Sequence, residues 1–338
     1  MKITHPLISK IDAAHKENQE RPRPHLGMST LGHHCDRWLW LSFRWAVVEK
    51  FEGRILRLFR RGQMEEATVV ADLRAAGLTL RYTGDDQMRI DMACHVSGSV
   101  DGVIDSGVPE ARQKRHILEI KTHSKKSFDD LTVKGIEKSK PMHYAQIQSY
   151  MYGSGIDRAL YVAVCKDDDR LHIERVKLNQ SYAKALIARG HRIALSERLP
   201  EPCNGAAPDW YQCRFCAAHS FCHSAQMTQE VNCRTCAHAT PTQDSKWICE
   251  RHGSQEIPTQ FQHEGCESHV LHPDMVPWEL IREESTETNA CWMIEGKKVM
   301  NGEDGFKSGE LISNLQACLA DDPIINDIRG RFNATIVA

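Results

Sequence analysis

The sequence predicts an α/β protein that carries a small Cys-rich module, and three observations support that reading. Strand-like segments alternate with helical ones from about residue 36 to about residue 197. The 338 residues are 41% hydrophobic and 26% charged, a globular profile with room for about two domains. Seven of the 13 cysteines fall between residues 213 and 266, after the texture turns Pro-, Gly- and Cys-rich near Pro200.

Residues 1–29 read as a polar N-terminal arm, and the "RPRP" near its end argues against a helix. From 36 to 60 the chain is dense in large apolar residues, with Asp36 at an N-cap position. Trp38, Trp40 and Trp45 could stack on bases, but a run apolar on nearly every face reads as core. A helix at 64–76 ends before Gly77, and strand-like segments follow at 78–82, 88–92, 94–105 and 116–122. The Lys-rich stretch 124–140 reads as a loop or lid, and 141–153 as a helix. "ALYVAVC" and "LHIERVKL" read as strands around a "KDDDR" turn, and a helix near 180–197 closes the domain. Residues 276–338 form a segment whose chemistry is not legible.

No apolar run approaches membrane-spanning length and the N-terminus lacks a signal peptide's apolar stretch, so the expected location is cytoplasmic. In a reducing compartment, clustered cysteines point to metal rather than disulfides. Cys94, Cys165, Cys291 and Cys318 sit in apolar surroundings and read as small buried residues. The net charge of −2 neither requires nor excludes nucleic acid, since binding needs only a local basic surface. "RILRLFRRG" at 54–62 offers one, and Arg112, Lys114, Arg115, Lys121, Lys125 and Lys126 offer another; the simpler account of each is a solvated face.

The stretch "HILEIKTHSKK" (116–126) places Glu119 and Lys121 two apart, so in a strand they share a face. Such a pair is either an ion pair at a strand end or a site where a carboxylate holds a metal beside an ammonium. Asp101 lies in "SGSVDGVID", flanked by glycines that permit close approach. Glu66 precedes Val69, Val70 and Leu73 at helical spacings, which puts a carboxylate on an apolar face and demands a partner. Gln146 and Tyr150 are four apart on one helix face, with His143 a turn earlier. A second acid–x–lysine, Glu295 and Lys297, lacks this context and is attributed to chance.

The order helix Glu, strand Asp, strand Glu-x-Lys, helix Gln-x3-Tyr resembles the PD-(D/E)XK nuclease superfamily, and within it the RecB-like branch. The resemblance covers about residues 30–225 and implies a mixed central β-sheet flanked by helices. It implies Mg²⁺ or Mn²⁺ on Asp101 and Glu119 with Glu66 assisting, Lys121 acting on water and phosphate, and Gln146 and Tyr150 on the DNA backbone. Hard carboxylate oxygens suit such ions, which keep waters, one of them a nucleophile. Many relatives carry Pro before the acid where this chain has Val100.

Cys213, Cys216 and Cys222, with the isolated Cys35 upstream, resemble the iron–sulfur staple of RecB-like nucleases, which implies a structural [4Fe–4S] cluster. Zinc would accept the same thiolates, alone or with His219 or His223, and Cys203 lies close by. Cys233-x2-Cys236 followed by Cys249 and Cys266 reads as structural Zn²⁺, with His252 and His269 as substitutes for one ligand. The expected organisation is therefore the arm 1–29, a nuclease domain 30–228, a zinc module 229–275 and the segment 276–338.

The expected function is a metal-dependent exonuclease, most similar overall to phage-encoded enzymes, acting on single- or double-stranded DNA ends in recombination, repair or degradation. If phage-encoded, it would work in the host cytoplasm. A recombination or helicase partner and a toroidal trimer are both compatible with it. The alternatives are an endonuclease on branched DNA and a non-catalytic nucleic-acid-binding metalloprotein; a redox sensor has no feature asking for it.

Overall fold

A computed structural model describes residues 5–203, 207–225, 227–320, 322–332 and 334–336. The first four residues of the expected arm lie outside that set. The chain divides into two compact units, residues 1–34 with 49–192, and residues 35–48 with 193–338.

The elements begin with α1 (Pro6–Glu17), β1 (Leu26–Gly27), α2 (Asp36–Phe43) and α3 (Gly53–Ala75). Strands β2 (Thr79–Arg81), β3 (Arg89–Asp91), β4 (Val96–Ser99), β5 (Gly102–Ser106) and β6 (His116–His123) follow. Then come α4 (Lys125–Ser139), α5 (Pro141–Ser154), β7 (Arg158–Cys165), β8 (Leu171–Lys177) and α6 (Gln180–Ala194). All but α2 belong mainly to the first unit.

The first unit is built on a five-stranded sheet in the order β2-β5-β6-β7-β8. Only the β6–β7 pair is parallel, so the sheet is mixed. A parallel pair needs a crossover, and α4 and α5 supply it. Val69, Val70 and Leu73 of α3 pack with Leu118 and Ile120 of β6 and Leu160 and Val162 of β7. The pleat thus sends Leu118 and Ile120 to that core and leaves Glu119 and Lys121 for the opposite face.

The helix expected at 64–76 starts earlier, at Gly53, and takes in the basic run 54–62, and four other local expectations change. The arm contains helix α1, because Pro6 stands in its first turn, where its missing N–H costs no hydrogen bond. The run 94–105 is two strands in different sheets: β4 joins β1 and β3, β5 joins the main sheet, and Asp101 stands at the junction. The expected loop 124–140 is helix α4, which buries Phe128, Leu131 and Ile136 and turns its lysines outward. Gly135 breaks it at φ 73°, and the Ile136 N–H beyond donates to Glu174 Oε2 at 2.9 Å. Finally, Cys35 rather than Asp36 caps α2, its Sγ accepting from Trp38 N at 3.5 Å.

The second unit holds two small antiparallel sheets, one of residues 239–241, 247–249 and 255–256, the other of 279–280, 289–294 and 297–302. Trp292, Ile294, Val299, Leu271 and Leu311 form one core. Trp40 and Trp45 are fully buried, as a core reading of that run requires. Among the described residues, no helix is long and apolar enough to cross a membrane.

Leu118→Ala should cost about 2–5 kcal/mol, the usual range for a fully buried leucine. The check is a lower urea midpoint at an unchanged denaturant slope.

Candidate active site

Strand β6 fixes the centre of the site. Glu119 is completely buried and pairs with Lys121 Nζ on the same face. Asp101, at the β4–β5 junction, accepts the Ile120 N–H at 2.7 Å and lies 3.9 Å from Lys121 Nζ. Glu66, half-buried on α3, lies within electrostatic reach of both Asp101 and Lys121.

The protonation behaviour follows from crowding. Burial pushes the Glu119 carboxyl up to about 8; Asp101 and Glu66 push the same way, and Lys121 opposes them. Burial and then Asp101 push Glu66 up to about 7, again against Lys121. Burial would discharge Lys121, but Glu119 and Asp101 more than reverse it. Neither Glu119 oxygen finds a hydrogen-bond partner of ordinary geometry. With all three carboxylates ionised, the cluster around the one ammonium is two charges short of neutrality, which is the charge of one divalent cation; without a cation, the raised Glu119 carboxyl keeps its proton at pH 7.

Helix α5 supplies the neighbouring wall. Gln146 Nε2 donates to Tyr150 Oη at 3.2 Å, and both side chains are buried. Burial and the Glu119 charge raise the Tyr150 phenol, so it stays a hydrogen-bond donor. A Cβ on Gly98 would stand 2.8 Å from a Tyr150 ring carbon and 3.1 Å from its hydroxyl. The glycine of "VSGSVDG" therefore makes room for this tyrosine.

Three residues of this face were not singled out from the sequence as one group. Tyr161 sits opposite Glu119 in the parallel β6–β7 register. Its hydroxyl lies 2.9 Å from His123 Nε2 and 2.9 Å from His143 Nδ1, while His123 Nδ1 lies 3.1 Å from Ser127 Oγ. One hydroxyl proton cannot serve both rings, so one imidazole accepts from the phenol and the other donates to it. Burial, with Lys140 and Lys121 among the nearby cations, lowers His123 to about 4 and His143 to about 3, so both are neutral at pH 7. The strand parity that pairs Glu119 with Lys121 extends to His123 and is the signal that points there.

Basic groups near this unit's surface are partly committed. Arg57 pairs with Asp12 and Arg61 donates to Lys166 O at 3.2 Å, whereas Arg54 and Arg60 are exposed on α3. Glu295 occupies a left-handed turn between two strands, and Lys297 Nζ donates to Leu319 O at 2.5 Å, a structural role.

The clustered cysteines, with Cys35 and Cys203, lie in the second unit. Burial pushes Cys203 up to about 12, with Cys35 and Cys213 adding to it, and Cys216 up to about 11, with Cys35, Cys222 and Cys213 adding. Cys35, Cys213, Cys216 and Cys222 are therefore neighbours, and Cys203 is a fifth. Cys233, Cys236, Cys249 and Cys266 line one small cavity. Among the described residues, no group of three or more His, Cys, Asp or Glu side chains is arranged to hold a metal ion as it stands.

No family model matches the chain, and no curated protein matches it. Among solved structures it is similar to an alkaline exonuclease, LHK-Exo, from Laribacter hongkongensis, at 16% identity and TM-score 0.35 over 55% of this chain and 90% of that one. The same exonuclease in complex with dAMP gives 14% and 0.37 over 55% and 90%. SSO0001 gives 13% and 0.38 over 66% of this chain and 98% of that one. These likenesses are faint, and the chemistry rests on the chain's own residues.

The raised carboxylates predict a stability profile. A folded-state value of about 8 against an ordinary 4.5 means that the folded, metal-free protein keeps a proton the unfolded chain releases. This contribution is fully present below about pH 4.5 and is lost as pH rises through about 8. The melting midpoint should therefore fall across that window. Glu119→Gln should flatten the fall and raise the midpoint at pH 8 by about 3–6 °C, measured by calorimetry in chelator.

Proposed function

We propose that this chain is a Mg²⁺- or Mn²⁺-dependent deoxyribonuclease of the PD-(D/E)XK type, in its RecB-like branch, that degrades DNA from an end. The observation that supports this most is the convergence of Glu66, Asp101 and Glu119 on one lysine, short of neutrality by a divalent charge. An ordinary strand-end ion pair would need one acid, not three, and would not bury the middle one completely.

Asp101 and Glu119, with Glu66, would hold the ion. When bound, the metal supplies Lewis-acid polarisation of the phosphate and a water of lowered pKa. Lys121 Nζ would orient that water and offset the charge gathering on the non-bridging oxygens as the P–O bond breaks. The Tyr150 hydroxyl and Gln146 amide would donate to backbone phosphate oxygens, positioning the strand without reading its sequence. His143, anchored through Nδ1 to Tyr161, stands one turn before Gln146 on the same helix. A neutral imidazole there adds no charge to the lysine's surroundings.

The thiols of Cys35, Cys213, Cys216 and Cys222 would hold a [4Fe–4S] cluster with a structural role. Their mutual proximity supports that fit, and Cys203 is a rival fourth ligand. DNA in the cytoplasm is the substrate of this reading, in recombination, repair or degradation. A circular substrate separates an exonuclease from an endonuclease.

The deciding assay uses end-labelled linear DNA and its closed circular form with Mg²⁺ or Mn²⁺. Wild type should digest the linear form and spare the circle, and Lys121→Ala should lose at least about 100-fold in rate. Equal cutting of the circle would replace the exonuclease reading with an endonuclease, and no cutting of either form with metals loaded would leave a binding protein.

Gly98→Ala should slow digestion by about 10–100-fold, because the new methyl displaces the Tyr150 hydroxyl. The circular dichroism spectrum should stay unchanged, and Tyr150→Phe should show a similar loss.

A further inference from the structure

We propose that the second unit contains a structural zinc centre formed by Cys233, Cys236, Cys249 and Cys266, one that excludes the nearby His269 and fixes a buried arginine clamp. This goes beyond the nuclease reading and does not depend on it.

All four cysteines line a single cavity of about 20 Å³, room for one small ion or water rather than an organic ligand. They come from three places: a tight turn at Cys233–Thr235 followed by Cys236, the end of the strand Trp247–Cys249, and the loop carrying Cys266. The turn is held by a capping box between Asn232 and Thr235, and the Cys236 N–H donates to Cys233 O at 3.1 Å. This presents two thiols from one knuckle. Cys233 Sγ makes only long contacts to backbone oxygens, Phe261 O at 3.6 Å and Glu264 O at 3.4 Å. On binding, each thiol would release its proton to solvent and close on the ion.

The histidines near the cavity separate clearly. His269 has both ring nitrogens engaged, Nδ1 at 2.8 Å from Ser308 Oγ and Nε2 at 3.0 Å from Asn232 O and 3.2 Å from Thr235 Oγ1. It braces the knuckle and has no nitrogen left for a metal. His238 and His252 line the same cavity, and the buried His238 Nε2 has no hydrogen-bond partner, which makes His238 the stronger rival nitrogen ligand.

The zinc would also hold what lies between two of its ligands. Arg234 sits inside the C-x2-C knuckle and is almost fully buried. Its guanidinium lies 3.7 Å from the Trp45 ring centroid and 4.9 Å from that of Trp247. It donates to Gln262 Oε1 at 2.9 and 2.8 Å and to Phe43 O at 2.8 Å. A knuckle closed by metal fixes the backbone that presents this arginine.

The test is made on full-length reduced protein. Zinc is quantified after removal of loosely bound metal, and Co²⁺ is then substituted for its visible spectrum. The expected result is a tetrahedral Co²⁺ spectrum with four-thiolate charge transfer, in which Cys266→Ser weakens zinc affinity at least about 10-fold. Cys213→Ser, in the other cysteine group, should leave that signal unchanged. Cys266 is exposed, so its serine variant is the one expected to keep the fold; the melting curve checks this. Zinc content and spectrum unchanged in both Cys266→Ser and Cys249→Ser would overturn the site. A spectrum altered by His238→Gln and not by Cys266→Ser would overturn the four-cysteine assignment.

Discussion

The first unit depends on one electrostatic constraint, the placement of three carboxylates around a single lysine on the inner face of a central strand. An isolated buried carboxylate normally takes up a proton or finds a cation. Here Glu119 has Lys121, but Asp101 and Glu66 draw on the same ammonium, and no rearrangement of one lysine neutralises three acids. The local folding serves this arrangement. The switch of sheets between β4 and β5 brings Asp101 to the backbone of Ile120, and α3 carries Glu66 on the stripe that buries Val69, Val70 and Leu73. A fold selected for stability alone would not concentrate like charges there, and this concentration is what supports the proposed role of the site.

Much of this was legible because it follows simple periods. Glu119 and Lys121 obey the strand period of two, and Glu66, Gln146 and Tyr150 obey the helical period. The mixed sheet and the clustering of all six residues agree with what their order along the chain implies. Helix α4 was hidden because its buried residues are sparse: Phe128 and Leu131 stand among lysines, and Gly135 interrupts the pattern before Ile136. Helix α1 was hidden because the prolines of "RPRP" spoke for the whole arm, whereas they lie beyond the helix, which ends at Glu17 and starts with Pro6 in its first turn. The Tyr161 hydroxyl joining His123 and His143 spans residues brought together by a crossover, and no local pattern reports a long-range hydrogen bond.

In the second unit Trp40 and Trp45 of "DRWLWLSFRW" serve as core, around cations, while Trp38 is only partly buried. Arg44 lies 4.8 Å from the Trp40 ring centroid and 5.2 Å from that of Trp247, which also faces Arg234. Burial lowers both guanidinium groups, Arg44 to about 10 and Arg234, with Arg44 adding to the effect, well below its usual range. Guanidinium tolerates this because it is weakly hydrated and stacks on aromatic faces, whereas an ammonium would keep its water. Apolar count alone would read this run as a hydrophobic helix and miss the cations that organise it.

The two units also divide the donor chemistry. Carboxylates cluster in the first and thiols in the second. Hard oxygens suit Mg²⁺ or Mn²⁺, ions that stay partly hydrated and exchange, as a reaction centre needs. Thiolates favour zinc or iron–sulfur, which are closed by their protein ligands and contribute to folding. In the proposed nuclease, softness alone would thus keep the two kinds of ion apart: a thiol beside Asp101 would trap zinc where the proposed reaction calls for an exchangeable ion. The face carrying Glu119 and Lys121 follows that rule, because its supporting polar groups are phenols, imidazoles and an amide. Of these only the imidazoles bind zinc well, and each already has a nitrogen on the Tyr161 hydroxyl, which leaves the carboxylates as the groups with charge to offer a metal.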